Sequence, residues 1–176
     1  MRRIRQSFRP VLGLPCWGVE NGWASFLTFE FGEPKLVIRE PYISDAPTKR
    51  VRARAAQRLV YPRGEWHLWI YFCAWKVTVN SKVVADWTTK ARSKRAPGIL
   101  NGQILTGITP LRGGRGWVFE FDLGAKLETT PDDRSSEQWM LFEPKDKVLS
   151  VRADKKYSYG IGARHPKHER WLPIDA

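Results

Sequence analysis

Apolar and aromatic residues recur at every second position through much of this chain, and that spacing suits strands rather than helices. Leu27, Phe29 and Phe31 alternate with Phe26, Thr28 and Glu30, and Gly32-Glu33-Pro34 interrupts before Leu36 and Ile38 resume, which reads as a hairpin. In EWHLWIYFCAW both parities are apolar, with Trp66, Leu68, Ile70 and Phe72 on one side and His67, Trp69, Tyr71, Cys73 and Trp75 on the other. A strand of this kind is expected to be central and covered on both faces. Trp117, Phe119, Phe121 and Leu123 alternate with Val118, Glu120 and Asp122, and Gly124-Ala125 turns the chain into Leu127 and Thr129. Trp139 to Phe142 pairs with Val148 to Val151 across the turn-rich Glu143-Pro144-Lys145-Asp146.

Helical signals are few. Residues 46–63 contain good helix formers, yet Val51, Ala53 and Ala55 alternating with Arg50, Arg52 and Arg54 fit an exposed edge strand equally well. Residues 86–96 suit a short helix capped by Asp86 or Thr88 and ended by Pro97-Gly98. The expected fold is mainly β: a bent antiparallel sheet forming a sandwich or partly open barrel, with at most one or two short helices. A length of 176 residues suits one domain, 1–176. Within it the order Trp, FEF, KL, Trp-x-Leu and a strand ending in Ala-Asp occurs twice, suggesting two similar halves at about 14–86 and 103–160. The spacing differs: Gly32 to Trp66 is 34 positions and Gly124 to Trp139 is 15. The C-terminal stretch around Trp171 is expected to pack irregularly.

Charge is distributed more informatively than composition. The net charge is +12, from 30 Lys and Arg against 18 Asp and Glu. Residues 1–10 carry four Arg and no acid, residues 46–63 six Lys and Arg and no acid, and residues 88–97 four more with no acid. Contiguous like charge that excludes acids needs solvent or a polyanion. Arginine dominates, and its planar fork suits phosphate or carboxylate. The basic face expected to meet a polyanion, a nucleic acid or an acidic protein, therefore comprises Arg50, Arg52, Arg54, Arg58, Lys90, Arg92, Lys94 and Arg95. Tyr61, Trp75 and Trp87 flank these islands, where exposed rings would stack bases, although most of the nine tryptophans belong to a core.

Catalytic and metal motifs are weak. Gly113-Gly114-Arg115-Gly116 precedes a strand, whereas phosphate-binding glycine loops open a helix, so a hairpin turn is expected there. His165 and His168 are too few for a zinc site. His67 and Cys73 are six residues apart on one strand, about 20 Å in extended chain, which excludes a direct pair. Glu120 and Asp122 share the polar side of a strand and are expected to face water outside any pocket holding Glu30, the third carboxylate of a hydrolase reading. No cofactor is implied.

Taken together, these features describe a non-enzymatic binding protein with a basic face for a polyanion. The alternatives are a protein-protein interaction module of immunity or anti-toxin type, with a tryptophan-rich surface as anchor, and, less favoured, a hydrolase. No apolar run approaches the roughly 20 residues of a membrane span. The basic opening is followed by an apolar stretch, Val11 to Leu14, too short for a secretion signal. Two cysteines, Cys16 and Cys73, make no disulfide framework, and a cytoplasmic location is expected.

The segments LPCWGVENGWASFLTFEFGEPKLVIREP, RGEWHLWIYFCAW, GWVFEFDLGAKLETTPDD and EQWMLFEPKDKVLSVRAD together resemble a family of small bacterial proteins of unknown function. The resemblance runs from Leu14 to about Tyr159 and implies a bacterial origin. It assigns no activity and no site residue.

Overall fold

In the computed structural model of the protein, residues 1–22, 25–113, 115–162 and 170–174 are described. Alternation produces strands, as expected, and they form three antiparallel sheets. The largest runs in the order β1 (Cys16–Asn21), β2 (Leu27–Phe31), β5 (Trp66–Ile70), β11 (Glu137–Glu143), β12 (Lys147–Arg152), β13 (Lys156–Ile161) and β14 (Leu172–Pro173). The second runs β7 (Lys82–Asp86), β6 (Cys73–Val79), β10 (Ala125–Pro131), β9 (Trp117–Phe121) and β8 (Leu105–Pro110). A separate ladder pairs β3 (Lys35–Arg39) with β4 (Leu59–Arg63). Among the described residues none closes into a barrel, and the mainly β fold is sandwich-like.

One apolar cluster joins the two large sheets. Leu27, Phe29 and Phe31 of β2, Leu68 and Ile70 of β5, and Trp139 and Leu141 of β11 are buried on one side. Cys73, Trp75 and Val77 of β6, Leu127 of β10, and Phe119 and Phe121 of β9 are buried on the other. The two FEF stretches belong to different sheets, and Phe29 stacks on Phe121 between them.

Two strand expectations require correction. EWHLWIYFCAW is two strands: β5 is central in the large sheet and β6 lies between β7 and β10 in the other, the chain crossing between layers at Tyr71 and Phe72. A strand that changes sheets must change which parity faces the core. Even positions, Leu68 and Ile70, are accordingly buried before the crossing, and odd ones, Cys73, Trp75 and Val77, after it. The hairpin expected around Gly32-Glu33-Pro34 does not form either. β2 pairs with β1 and β5, whereas β3 pairs with β4 from Lys35↔Arg63 to Arg39↔Leu59. The other two hairpins form, β9 with β10 and β11 with β12. At the second, Lys145 and Asp146 both take positive φ, the backbone of a tight hairpin turn.

Helices among the described residues are short and fall in three regions, against the one or two short helices expected. α1 (Arg2–Phe8) buries Ile4 and Phe8, one turn apart on one face, with Phe8 set edge-on to Trp139 at 5.5 Å between ring centroids. Residues 46–63 supply both a helix and a strand: α2 (Lys49–Ala55), with the Thr48 hydroxyl accepting from the Val51 N–H, and then β4. The third region is split into α3 (Lys90–Ser93) and α4 (Ala96–Leu100). Its cap is Thr89, which accepts from the Arg92 N–H, rather than Asp86 or Thr88. Asp86 instead accepts from the Thr88 N–H at 3.0 Å, closing a side-chain turn just before the helix.

Candidate functional site

The outward face of the large sheet is not left to solvent. Strand register sets Glu30, His67 and Phe142 side by side on β2, β5 and β11, with Thr28 and Trp69 in the next row. The β3–β4 ladder stands over this face, and a cleft of about 700 Å³ lies between them. Its floor is Thr28, Glu30, His67, Trp69 and Phe142; β4 supplies one wall, including Tyr61 and Arg63, and β1 contributes Trp17, Gly18 and Glu20. Arg39 of β3 and Arg54 of α2 also line it.

Glu30 and His67 are the most enclosed ionisable groups of the cleft, their side chains retaining 10% and 8% of full exposure. His67 Nδ1 lies 2.8 Å from Glu30 Oε1, and Glu30 Oε2 accepts from the Gly64 N–H at 2.9 Å. A carboxylate can only accept, so the proton between the pair belongs to Nδ1 and Nε2 is left as the ring's second polar atom. No hydrogen bond among the described residues engages Nε2, and the ring lines the cleft. Arg63 Nε is 3.8 Å from Glu30 Oε1 and its guanidinium lies 5.7 Å from the centroid of the Tyr61 ring.

Glycines make this arrangement possible. Gly18 has φ +55 at the irregularity in β1, and a side chain there would meet Glu30 Cγ at 3.3 Å. A methyl group on Gly64 would collide with the Phe31 carbonyl and stand 2.8 Å from its nitrogen, so β4 can turn into β5 close against β2 only with glycine. Trp17 Nε1 donates to the Gly32 carbonyl at 2.9 Å, tying β1 to the end of β2.

All eight cations of the expected basic face are exposed. Arg54 lines the cleft, and Arg50, Lys90, Lys94 and Arg95 join it in having no carboxylate partner among the described residues. Arg58 pairs with Glu40 at 2.9 Å and Arg92 with Asp86 at 2.6 Å, while Arg52 donates to the carbonyls of Ala46 and Pro47. The helix α2 is held on the ladder by Arg39, whose Nη2 donates to the carbonyls of Arg54 and Gln57. The second island is tied to β1 by the Ser93 hydroxyl, which donates to Asn21 Oδ1 at 3.2 Å. Asn21 sits between Glu20 and Gly22, both cleft residues.

The remaining candidates separate. Glu120 pairs with Lys126 at 2.7 Å with 39% of its side chain exposed, and exposed Asp122 accepts from the Ile104 N–H. Both belong to the five-stranded sheet region, and neither lines the cleft that holds Glu30. Cys73 is buried on the core side of β6 while His67 lines the cleft. Of the flanking aromatics, Tyr61 lines the main cleft, Trp75 is core, and Trp87 is exposed beside a smaller hollow of about 400 Å³ that includes Asp86 and Arg92. The glycine run precedes β9 as a β8–β9 connection, with Gly114 outside the described residues. His165 and His168 also lie outside them, and the described residues contain no cluster of three metal-ligating side chains.

Sequence reasoning missed Arg39, Arg63 and the partnership of Glu30 with His67. The usable signal was an ionisable residue inside each of two aromatic strands, FEF and WHLW, which meet once β2 and β5 are paired in register. No family model, curated protein or solved structure matches the chain.

Proposed function

We propose that the protein binds a polyanion, single-stranded nucleic acid, in the cleft between the large sheet and the β3–β4 ladder. One observation carries this reading: Arg39, Arg54 and Arg63 line the same cleft as Trp17, Tyr61 and Trp69. Guanidinium groups take backbone phosphates while flat rings take unstacked bases, the combination that single-strand binders use. The unpaired cations of α2 and α3 extend the positive surface beyond the cleft. The test is an electrophoretic mobility shift with single-stranded RNA and DNA at two salt concentrations. Three phosphate contacts give a slope of about −2 in log K against log salt, and Arg54→Gln reduces it by about 0.7. Absence of a shift at low salt overturns the proposal.

A second reading, an interaction module of immunity or anti-toxin type, is favoured by a different observation. The β3–β4 ladder presents Leu36, Ile38 and Val60 at 76%, 59% and 57% exposure, with Ile38 directly opposite Val60. Aliphatic groups contiguous on a surface mark contact sites. Binding through them weakens little with salt, which separates this reading from the first. No helix among the described residues is long and apolar enough to cross a membrane. A cytoplasmic location is part of the proposal, supported by two buried, unbridged cysteines.

A further inference from the structure

Binding alone leaves the most enclosed pair in the cleft without a task. The Gly64 N–H and His67 Nδ1 take up the oxygens of Glu30, so the carboxylate has little left to offer a ligand. The imidazole is different: one nitrogen is anchored, and the other, on a cavity surface, has no hydrogen-bond partner among the described residues. A carboxylate that holds an imidazole by one nitrogen fixes its tautomer and stabilises the imidazolium formed when the other nitrogen accepts a proton. Arg63 lines the same cleft next to the pair and can face charge that builds on phosphorus.

From this geometry we infer that the cleft cleaves single-stranded RNA, with His67 as general base, Glu30 as its positioning residue and Arg63 on the phosphate. This rests on the nucleic-acid reading above and adds a reaction to it. His67 Nε2 takes the proton of a ribose 2′-hydroxyl, and the 2′-oxygen attacks the adjacent phosphorus, forming the P–O2′ bond. The P–O5′ bond breaks with its electron pair going to the 5′-oxygen, which takes a proton from water. The hydroxide so produced recovers the proton from the imidazolium. The products are a 2′,3′-cyclic phosphate and a 5′-hydroxyl end, and His67 is returned neutral. DNA, which has no 2′-hydroxyl, is bound and not cut.

The experiment uses the full chain and one labelled mixed-sequence oligonucleotide as RNA, as 2′-O-methyl RNA and as DNA. Binding is read by anisotropy, and products are resolved for cyclic-phosphate ends. The step uses no metal ion, so cleavage is measured in EDTA. The expected result is binding of all three and cutting of RNA alone. His67→Asn, which keeps an N–H toward Glu30 and removes Nε2, lowers the cleavage rate by about 10²- to 10⁴-fold. Glu30→Gln lowers kcat with KM within about twofold, a split that loosened folding would not produce. Melting curves of both variants report whether the fold survives, and the wild-type result decides the question if it does not. RNA bound but left intact, or cut equally by folded His67→Asn protein, overturns the inference and leaves the binding proposal standing. Failure to bind any of the three overturns both.

Discussion

Phe29 of β2 and Phe121 of β9 stack across the interior with ring centroids 6.2 Å apart and planes 24° from parallel. They join the two large sheets near the middle of the apolar cluster, and both are buried. Phe29→Ala or Phe121→Ala removes one ring and leaves a cavity that closely packed neighbours cannot close, at a cost of about 3–5 kcal/mol. Because the rings touch, the double variant costs less than the sum of the singles. Urea unfolding of the three proteins measures this, and strict additivity would count against the contact.

The N-terminal helix is basic in sequence and apolar where it packs. Phe8 is buried against Trp139 and Phe119, while Arg2 points outward. Phe8→Ala is expected to cost about 3–5 kcal/mol and to alter the near-ultraviolet dichroism of Trp139. Arg2→Ala stays within about 0.5 kcal/mol. Equal effects would mean that the helix is not part of the core.

Glycine substitutions divide by their surroundings. Gly64→Ala forces a methyl group into the Phe31 backbone, which cannot yield as a flexible side chain would, and costs about 2 kcal/mol or more. Gly98, inside α4, has open space around it and an ordinary helical backbone. Gly98→Ala therefore stabilises by about 0.5–1 kcal/mol. Calorimetric melting of the two variants should shift in opposite directions.

Both thiols are held neutral by burial. Cys16 is pushed up to about 12, and its Sγ–H donates to the Leu100 carbonyl at 3.0 Å; Cys73 is raised further, chiefly by burial. Unfolded thiols ionise near pH 9, while the folded ones keep their protons. Between about pH 9 and 12 the unfolded state thus binds fewer protons, and stability falls as pH rises, by about 1.4 kcal/mol per pH unit for each thiol. Below pH 9 neither thiol contributes a pH dependence. Thiol reagents at pH 8 should leave the folded protein unmodified and react after denaturation. Rapid labelling of native protein would contradict the burial.

Much of the architecture was legible from alternation because strands two residues in period show their buried side directly. The β9–β10 and β11–β12 hairpins are local, and their turn residues announce them. β2 and β3 are also adjacent, yet they part, because each finds its partners far along the chain. Leu27 to Phe31 pairs with residues 66–70, and Lys35 to Arg39 with residues 59–63. The site was hidden for the same reason. Glu30 occupies the polar parity of its strand and would face water, but the β3–β4 ladder covers it, and nothing in FEFGEP states where residues 59–63 return. The basic islands were plain in sequence; that Arg54 would share a cleft with Arg39 and Arg63 depended on the same long-range pairing.

The two sides of the cleft differ in how firmly they are held. The floor is the reverse side of strands whose other faces form the core, so moving it means unfolding the sandwich. The wall is a two-stranded ladder of its own, tied to the floor at Gly64–Glu30 and Arg63–Glu30, with exposed aliphatic side chains along it. A short ladder with few buried contacts opens at a lower free energy than the core beneath it. The protein thus has a durable anvil and a yielding jaw.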